Sequence, residues 1–107
     1  MRKKRQPTPF QMRVYEATAR IPRGKVAAYG WVARQIGCRS AQAVGGALRV
    51  NPFAPQVPCH RVVAADGSLH GFAGHIDGAP IAKKRRLLKA EGVRFTPDGR
   101  VRPDCFV

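Results

Sequence analysis

The first regular pattern along the chain is helical. Apolar side chains recur at the three- and four-residue spacing of one helix face, at Phe10, Val14, Ala17 and Ile21. Thr8 can cap the first turn, Pro9 suits its first position, and Gln11 completes a capping box. The pattern therefore predicts a helix that begins after Thr8 and ends at Pro22-Arg23-Gly24.

Two shorter helices are predicted next, with a turn between them. Residues 28–36 form the first, and Ser40 can cap the second, which runs to about residue 50. The turn at Gly37-Cys38-Arg39 makes this pair a candidate helix-turn-helix. Gly45-Gly46 inside the second helix costs roughly 1 kcal/mol per glycine. That cost favours close approach of another helix or of a ligand to this backbone.

Turn signals dominate the second half of the chain. Val62-Val63 and Leu69 flank Asp66-Gly67, which predicts a small β-hairpin wing. Residues 95–101, around Asp98-Gly99, predict a second hairpin near the C-terminus. The predicted fold is therefore mainly α, with a helix-turn-helix and small hairpins.

One more helix is predicted from residue 81 to residue 90, after a glycine-rich loop at 70–80. Leu87 and Leu88 are expected to face inward, and Lys83-Lys84-Arg85-Arg86 to lie largely outward. Such a basic run forms either a solvated face or a surface that contacts phosphates. We find no internal repeat, so residues 8–107 are predicted to form one domain after a basic tail at 1–7.

Basic residues far outnumber acidic ones. The 107 residues include 20 Lys and Arg against 6 Asp and Glu, a formal net charge of +14. Such an excess indicates a polyanionic partner, most simply nucleic acid, with binding that weakens as salt rises. The alternative is a basic surface that has no partner.

Other classes of protein are disfavoured by the residues present. Three cysteines and three histidines are spread along the chain, at Cys38, Cys59, Cys105, His60, His70 and His75. Their spacing lacks a CxxC pair, so we expect no disulfide framework, no metal site and no cofactor. No apolar run approaches the ~20 residues of a membrane span, and no apolar segment follows the basic N-terminus. We expect a cytoplasmic monomer.

The candidate chemistry lies at Cys59-His60, inside the string Pro58-Cys59-His60-Arg61-Val62-Val63. A thiolate is a far stronger nucleophile than a thiol, and an adjacent imidazole can take the thiol proton. Taken alone, the dipeptide is also compatible with a buried, inert cysteine beside a surface histidine.

An ordered set of motifs surrounds this dipeptide. The set comprises Gly24-Lys25-Val26 with Tyr29, Ala43-Val44-Gly45-Gly46-Ala47-Leu48, Asn51-Pro52, the string at 58–63, Gly71-Phe72-Ala73-Gly74, Leu87-Leu88 and Glu91-Gly92. In this order the motifs resemble the DNA-binding, active-site domain of the O6-alkylguanine-DNA alkyltransferases. The resemblance implies a winged-helix-like fold whose recognition helix, residues 40–50, enters the minor groove and supports base flipping.

The resemblance also implies roles at the reacting centre. Cys59 would accept the alkyl group, His60 would take the thiol proton through a water, and Glu91 would orient His60. Asn51 would brace the active-site turn, and Tyr29 would crowd the 3′ phosphate and donate a proton to guanine. Taken singly, Tyr29 could instead pack at a helix start, Asn51 could form a turn, and Glu91 could satisfy a helix end.

Two further sets of residues follow from the resemblance. The guanine pocket would be lined by Val63, Gly71, Phe72 and Ala73. Contacts to DNA would come from Tyr29, Arg39, Ser40, Gln42, Ala43, Gly46 and Arg49. The partner would be double-stranded DNA that contains O6-alkylguanine, and the thioether formed would make the protein a stoichiometric acceptor rather than a turnover catalyst.

The sequence departs from the family pattern at several positions. Gln42 replaces the usual intercalating arginine, Phe72 replaces a common tyrosine, and His75 stands where many members have glycine. The short chain is also similar to the alkyltransferase-like proteins, which bind alkylated guanine and hand it to nucleotide excision repair. Those proteins lack the acceptor cysteine, which this chain has. A lesion sensor and a general winged-helix DNA binder are therefore the competing hypotheses.

Overall fold

Four helices carry the architecture of the computed structural model, which describes residues 6–54, 56–69 and 79–107. They are α1 (Pro9–Ala19), α2 (Tyr29–Gln35), α3 (Ala41–Arg49) and α4 (Ala79–Ala90). Two short strands, β1 (Ala27–Ala28) and β2 (Val62–Val63), and 3₁₀ turns at Cys59–Arg61 and Pro103–Cys105 complete the described elements. The prediction of a mainly helical fold is confirmed, and α2 and α3 are joined by a short turn.

Local signals set the helix starts. The Thr8 hydroxyl accepts a hydrogen bond from the Gln11 amide at 3.1 Å, and the Gln11 side chain accepts one from the Thr8 amide at 2.9 Å. This is the predicted capping box. The Ser40 hydroxyl accepts from the Ala43 amide at 3.0 Å and so caps α3. Between α2 and α3, Gly37 takes a left-handed φ of 69°, which ends α2 and turns the chain.

The first predicted hairpin is present as its turn, which is closed by the Ala64 amide donating to the Ser68 carbonyl at 3.2 Å. The parallel pairing of Val62–Val63 with Ala27–Ala28 was not predicted. The turn itself is present, because the Gly67 amide donates to the Ala64 carbonyl at 2.9 Å and Gly67 has a φ of 87°. Both valines are fully buried, and a strand covered on both faces is typical of parallel pairing.

The second predicted hairpin is present in minimal form. Phe95 and Val101 form an antiparallel bridge, and the Thr96 amide donates to the Arg100 carbonyl at 2.7 Å. Gly99 takes the positive φ of 88° that the turn requires. Residues 95–101 thus form a small wing beside α4, where the Arg85 guanidinium donates to the Gly99 carbonyl.

Buried side chains form two hydrophobic clusters. The first joins α1, α2 and α3, and its largest fully buried members are Tyr15, Ile21, Val14, Val32, Val44 and Val62. The second joins β2, α4 and the C-terminal segment through Val26, Val63, Leu69, Leu88, Val93, Val101 and Cys105. The parallel pairing of β1 with β2 connects the two clusters, and the 3₁₀ turn at Cys59–Arg61 leads directly into β2.

The prediction for α4 is wrong at two positions. Leu87 is 37% exposed rather than inward, whereas Lys84, expected outward, is 0% exposed. Helical geometry explains both outcomes, because Ile81, Lys84 and Leu88 share one face at three- and four-residue spacing. Leu87 lies a quarter turn away from that face. Within the described ranges, we find no helix long and apolar enough to cross a membrane.

Candidate active site

The Cys59–His60–Arg61 segment is held as a single 3₁₀ turn between the proline-rich loop and β2. Its backbone is fixed on both sides, since the Cys59 amide donates to the Val57 carbonyl at 2.8 Å and the Arg61 amide to the Pro58 carbonyl at 2.9 Å. Cys59 is half-buried and His60 is 6% exposed. The turn therefore presents the thiol toward the surface and draws the imidazole inward.

Asn51 closes the loop that precedes this turn. Its side-chain amide donates to the Val57 carbonyl at 2.9 Å, and its carbonyl oxygen accepts from the Phe53 amide at 2.9 Å. The first bond ends two residues before Cys59, while the second forms a local Asx turn. One side chain thus makes both the turn and the brace that the sequence left as alternatives.

His60 and Glu91 lie 31 positions apart in sequence and meet in the structure. The His60 Nε2 atom lies 3.0 Å from the Glu91 Oε2 atom, and the Glu91 side chain is 9% exposed. Glu91 directly follows α4, which packs against the 3₁₀ turn. Gly92, at a φ of 93°, ends the helix there. The structure therefore brings together the two residues that the sequence placed in one relay.

Arg61 is a functional candidate that the sequence reasoning missed. Its guanidinium forms a bidentate ion pair with Glu91, in which Nε donates to Oε1 and Nη2 donates to Oε2, both at 2.9 Å. Its Nη1 atom donates to the Ile21 carbonyl at 2.8 Å. The available signal was its position directly after His60 within an apolar string. Arg61 joins the segment after α1, the active-site turn and the end of α4.

The charge of Glu91 is settled by these contacts. Burial alone would raise the pKa of Glu91, but hydrogen bonds from Arg61 and His60 and their charges lower it to about 2. Glu91 is therefore a carboxylate at neutral pH and can only accept hydrogen bonds. It follows that the hydrogen bond between His60 and Glu91 uses a proton on His60 Nε2. When the imidazole is neutral, its Nδ1 atom can then accept a further proton.

Tyr29 is the first residue of α2 and lies half-buried beside α3. A β-carbon added to Gly45 would lie 3.8 Å from the Tyr29 ring, so the glycine lets the ring approach α3 closely. Burial first, and then the charge of a Cys59 thiolate, raises the pKa of Tyr29. The phenol thus keeps its proton at neutral pH. Tyr29 and Cys59 both pack against the first hydrophobic cluster.

Gly46, the second glycine of the pair, faces open space. Among the described residues, no atom beyond the neighbouring residues and backbone of α3 lies within 4 Å of the position that a β-carbon on Gly46 would take. The close approach predicted for Gly45-Gly46 is therefore made by Tyr29 at the first glycine, while the second is accessible.

Five of the seven predicted DNA contacts are exposed, whereas Tyr29 and Gly46 are half-buried. Arg39, Ser40, Gln42, Ala43 and Arg49 are exposed. The opposite side of α3 is buried through Val44, Ala47 and Leu48. Ser40 caps α3 through its oxygen and still has a hydroxyl proton to donate. Helix α3 thus has one apolar side that packs against the core and one exposed side that is polar and basic.

The predicted guanine pocket is described only in part. Val63 is fully buried in the second hydrophobic cluster, so its side chain belongs to the core. Gly71, Phe72 and Ala73 lie outside the described residues, as do His70 and His75. The pocket assignment therefore stays a prediction.

Lys84 is the second residue that the sequence reasoning missed. Its ammonium donates to the Val62 carbonyl at 2.7 Å, one residue beyond the 3₁₀ turn that holds Cys59. Burial lowers the pKa of Lys84 to about 8, and the charge of a Cys59 thiolate opposes that fall. The signal available in the sequence was its shared helix face with Ile81 and Leu88. No cluster of three or more metal-ligating side chains occurs in the part of the chain that is described.

Comparison with known proteins connects this geometry to one family. Residues 9–93 match the family model described as the 6-O-methylguanine DNA methyltransferase, DNA binding domain. A methylated-DNA–protein-cysteine methyltransferase of Mycobacterium tuberculosis is 46% identical over 92 residues. The aligned region covers 85% of this chain and 53% of that protein, so the chain spans about half the length of the curated relatives it matches.

Two solved structures resemble the fold closely. The crystal structure of Mycobacterium tuberculosis OGT in complex with DNA has a TM-score of 0.73 at 45% identity, covering 81% of this chain and 52% of that one. The S. pombe protein Atl1, crystallised with damaged DNA containing O6-carboxymethylguanine, has a TM-score of 0.76 at 30% identity. That match covers 100% of this chain and 98% of Atl1.

Proposed function

Because this chain belongs to the family of the 6-O-methylguanine DNA methyltransferase DNA-binding domain, we propose that it repairs O6-alkylguanine in double-stranded DNA by direct alkyl transfer to Cys59. The observation that carries the proposal is the half-buried Cys59 thiol on one rigid turn with His60, which is itself held by Glu91 at 3.0 Å.

Activation of the thiol is the first step. His60 accepts the thiol proton at Nδ1, through a bridging water, because its Nε2 proton is committed to the Glu91 carboxylate. The resulting imidazolium lies between the thiolate and a carboxylate that Arg61 holds in place. Glu91 stays ionised throughout, so the proton rests on His60 and the carboxylate stabilises its charge.

Transfer itself is a displacement at the alkyl carbon. The Cys59 sulfur forms a bond to that carbon while the bond from the carbon to guanine O6 breaks and leaves its electron pair on the base. Tyr29, which keeps its phenolic proton at neutral pH, donates that proton to the departing guanine ring. The proton that His60 took from the thiol then returns to the Tyr29 phenolate through solvent, so both residues regain their starting forms. Guanine leaves as a neutral base and Cys59 becomes a thioether. One protein molecule therefore removes one alkyl group.

The helix-turn-helix binds the DNA and presents the damaged base to Cys59. Arg39 and Arg49 lie at opposite ends of the exposed side of α3 and can each neutralise a phosphate. The accessible backbone at Gly46 allows close approach of DNA. Gln42 would occupy the space left by the flipped base, with a polar amide in place of a charged guanidinium.

Intact-protein mass spectrometry tests the proposal. The protein is incubated with a duplex that contains O6-methylguanine, and a matched duplex with guanine serves as the control. We expect a gain of one methyl group, located on Cys59 by peptide mapping, only with the lesion duplex. A Cys59→Ser variant should bind the duplex and gain nothing. Binding of the lesion by the native protein with no methyl gain would contradict direct repair.

A lesion sensor is the second candidate function, and the match to Atl1 over nearly its whole length favours it. In this reading the protein binds O6-alkylguanine in DNA and recruits nucleotide excision repair proteins. A Cys59→Ala variant would then protect cells from alkylating agents as well as the native protein does. Under direct repair, that variant loses protection while it still binds the lesion.

A further inference from the structure

We infer that the exposed side of α4 is a second phosphate-binding surface, formed by Lys83 and Arg86 on the helix and by Arg23 beside its C-terminal end. Its ligand is the phosphodiester backbone of double-stranded DNA, outside the contacts made by α3. The inference goes beyond the proposed function, because it concerns undamaged DNA and requires no alkyl transfer.

The basic run of α4 divides into two cations that the fold uses and two that it does not. Lys84 is fully buried. The Arg85 guanidinium donates to a carbonyl of the C-terminal hairpin at 3.0 Å and lies 4.9 Å from the centre of the Phe95 ring. Lys83 and Arg86 are exposed, and among the described residues neither pairs with a carboxylate. These two side chains are therefore available to a partner outside the molecule.

Arg23 extends the same exposed side beyond the end of the helix. Its guanidinium donates to the Ala90 carbonyl at 3.4 Å, and Ala90 lies on one helix side with Lys83 and Arg86 at three- and four-residue spacing. A β-carbon on Gly24 would lie 3.1 Å from the next carbonyl along the chain, so the segment that carries Arg23 packs closely on this helix end. The bond to Ala90 uses one N–H group of five, which leaves the others for a phosphate.

The spacing of these cations suits a phosphate backbone. An α-helix rises about 1.5 Å per residue, so Lys83 and Ala90 are separated by roughly 10 Å along the axis of α4. One strand of B-DNA carries a phosphate about every 3.4 Å along its axis. The row from Lys83 through Arg86 to Arg23 therefore spans about three phosphates of one strand.

The charge of the chain favours the same ligand. The formal net charge is +14, whereas the phosphate contacts proposed for α3 draw only on Arg39 and Arg49. Like charges three positions apart, as at Lys83 and Arg86, disfavour a helix unless an anion neutralises them. A bound phosphate backbone neutralises both, and the release of its counterions favours binding.

Two double variants separate this surface from a general effect of charge. Lys83→Gln with Arg86→Gln, the α4 double variant, removes two unpaired charges. Arg100→Gln with Arg102→Gln is the matched control, because it removes two exposed charges that already pair with carboxylates on the C-terminal segment. Urea denaturation checks that both variants are folded.

Binding to an unmodified duplex of about 20 base pairs, close to two helical turns, is measured over a salt series. The anisotropy of protein labelled at its N-terminal amine reports binding, and the duplex is kept in excess so that each one carries a single protein. Where the phosphates belong to the duplex held by α3, the α4 double variant should lower the slope of log affinity against log salt by about 1.8, at about 0.9 per lost contact. The control should keep the native slope.

Sedimentation equilibrium with excess duplex identifies the source of the phosphates. A single duplex per protein, together with the lower slope, assigns them to the duplex that α3 holds. Two duplexes on the native protein and on the control, but one on the α4 double variant, assign them to a second duplex. Native slope and one duplex for the α4 double variant and the native protein alike would overturn the inference, as would any change that the control shares. Neither measurement involves a lesion or methyl transfer, so failure of the proposed function would be seen separately.

Discussion

The two halves of the molecule differ in where their basic side chains lie. In the half built from α1, α2 and α3 they are exposed, whereas around α4 and the active-site turn Lys84 and Arg61 are largely buried. Arg39 and Arg49 on the recognition side are exposed, while Lys84 is fully buried and Arg61 is largely buried against Glu91. Exposed charges are screened and act mainly on a charged partner, but buried ones act strongly on their neighbours. Under the proposed function, the exposed cations would serve DNA binding and the buried charges would serve the chemistry.

The largest effect is expected from breaking the buried ion pair. Glu91→Gln leaves Arg61 and His60 without their carboxylate, which should lower the free energy of unfolding by about 2–3 kcal/mol. Urea denaturation measures the change. The control is Asp98→Asn, which removes a carboxylate whose side chain is 63% exposed in its pair with Arg100, and it should leave the midpoint unchanged. Equal losses of stability for the two substitutions would contradict the claim that buried charges matter more than exposed ones.

The free energy of unfolding should fall in acid because Glu91 becomes protonated. The pKa of Glu91 is lowered to about 2 from an ordinary value of 4.5, so the folded state binds fewer protons than the unfolded chain in that range. This contribution is fully present above about pH 5 and is lost as pH falls towards 2, with a size of about 3 kcal/mol. Urea denaturation from pH 6 downward should show the fall, and Glu91→Gln should flatten it. A slope that survives the substitution would assign the acid sensitivity to other carboxyls.

Substitutions at Tyr15 and Tyr29 form a matched pair whose expected effects are of intermediate size. The Tyr15 hydroxyl donates to the Ala47 carbonyl at 2.8 Å, in the last turn of α3, so Tyr15→Phe should cost about 1 kcal/mol of stability and leave transfer intact. Tyr29→Phe keeps the ring against Gly45, so it should leave stability nearly unchanged and slow transfer by about tenfold. Thermal unfolding and single-turnover methyl transfer measure the two quantities. The opposite assignment of effects would show that Tyr29 is only a packing residue.

Exposed cations should affect DNA binding without affecting stability. Arg39→Ala and Arg49→Ala should each lower the slope of log affinity against log salt by about 0.9, with unchanged unfolding midpoints. Fluorescence anisotropy over a salt series measures the slope. Arg100→Ala, on the hairpin beside α4, is the control of equal charge. An equal loss of slope in the control would mean that DNA contacts extend well beyond the helix-turn-helix.

Gln42 gives the smallest expected effect. Gln42→Arg should raise affinity for a lesion duplex by about threefold, since a guanidinium adds charge and a planar stacking surface at the exposed side of α3. Anisotropy with lesion and unmodified duplexes measures the gain, which should be larger for the lesion. If affinity does not rise and Arg39→Ala causes a large loss, Arg39 fills the role instead.

The sequence predicted well those features that depend on local signals. The capping box at Thr8 and Gln11, the Ser40 cap and the turn at Gly37 are formed by side chains within three or four positions of the backbone they serve. Ordered motifs also paired His60 with Glu91, although only the fold brings them within hydrogen-bond distance.

The errors involve contacts between distant parts of the chain. Asp66-Gly67 signals a turn, but nothing local indicates that Val62–Val63 pairs in parallel with Ala27–Ala28. The basic run predicts an exposed Lys84, whereas its helix face is set by what packs against α4. No local signal identifies the role of Arg61, since both of its partners are at least 30 positions away.

Single-turnover methyl transfer, measured over a range of lesion-duplex concentrations, tests the division between the two regions most directly. Glu91→Gln should lower the rate at saturating DNA and leave the concentration for half-maximal rate nearly unchanged. Arg49→Ala should raise that concentration and reach the native rate at saturation. A Glu91→Gln variant whose rate is restored by added DNA, or an Arg49→Ala variant that stays slow at saturation, would contradict the account.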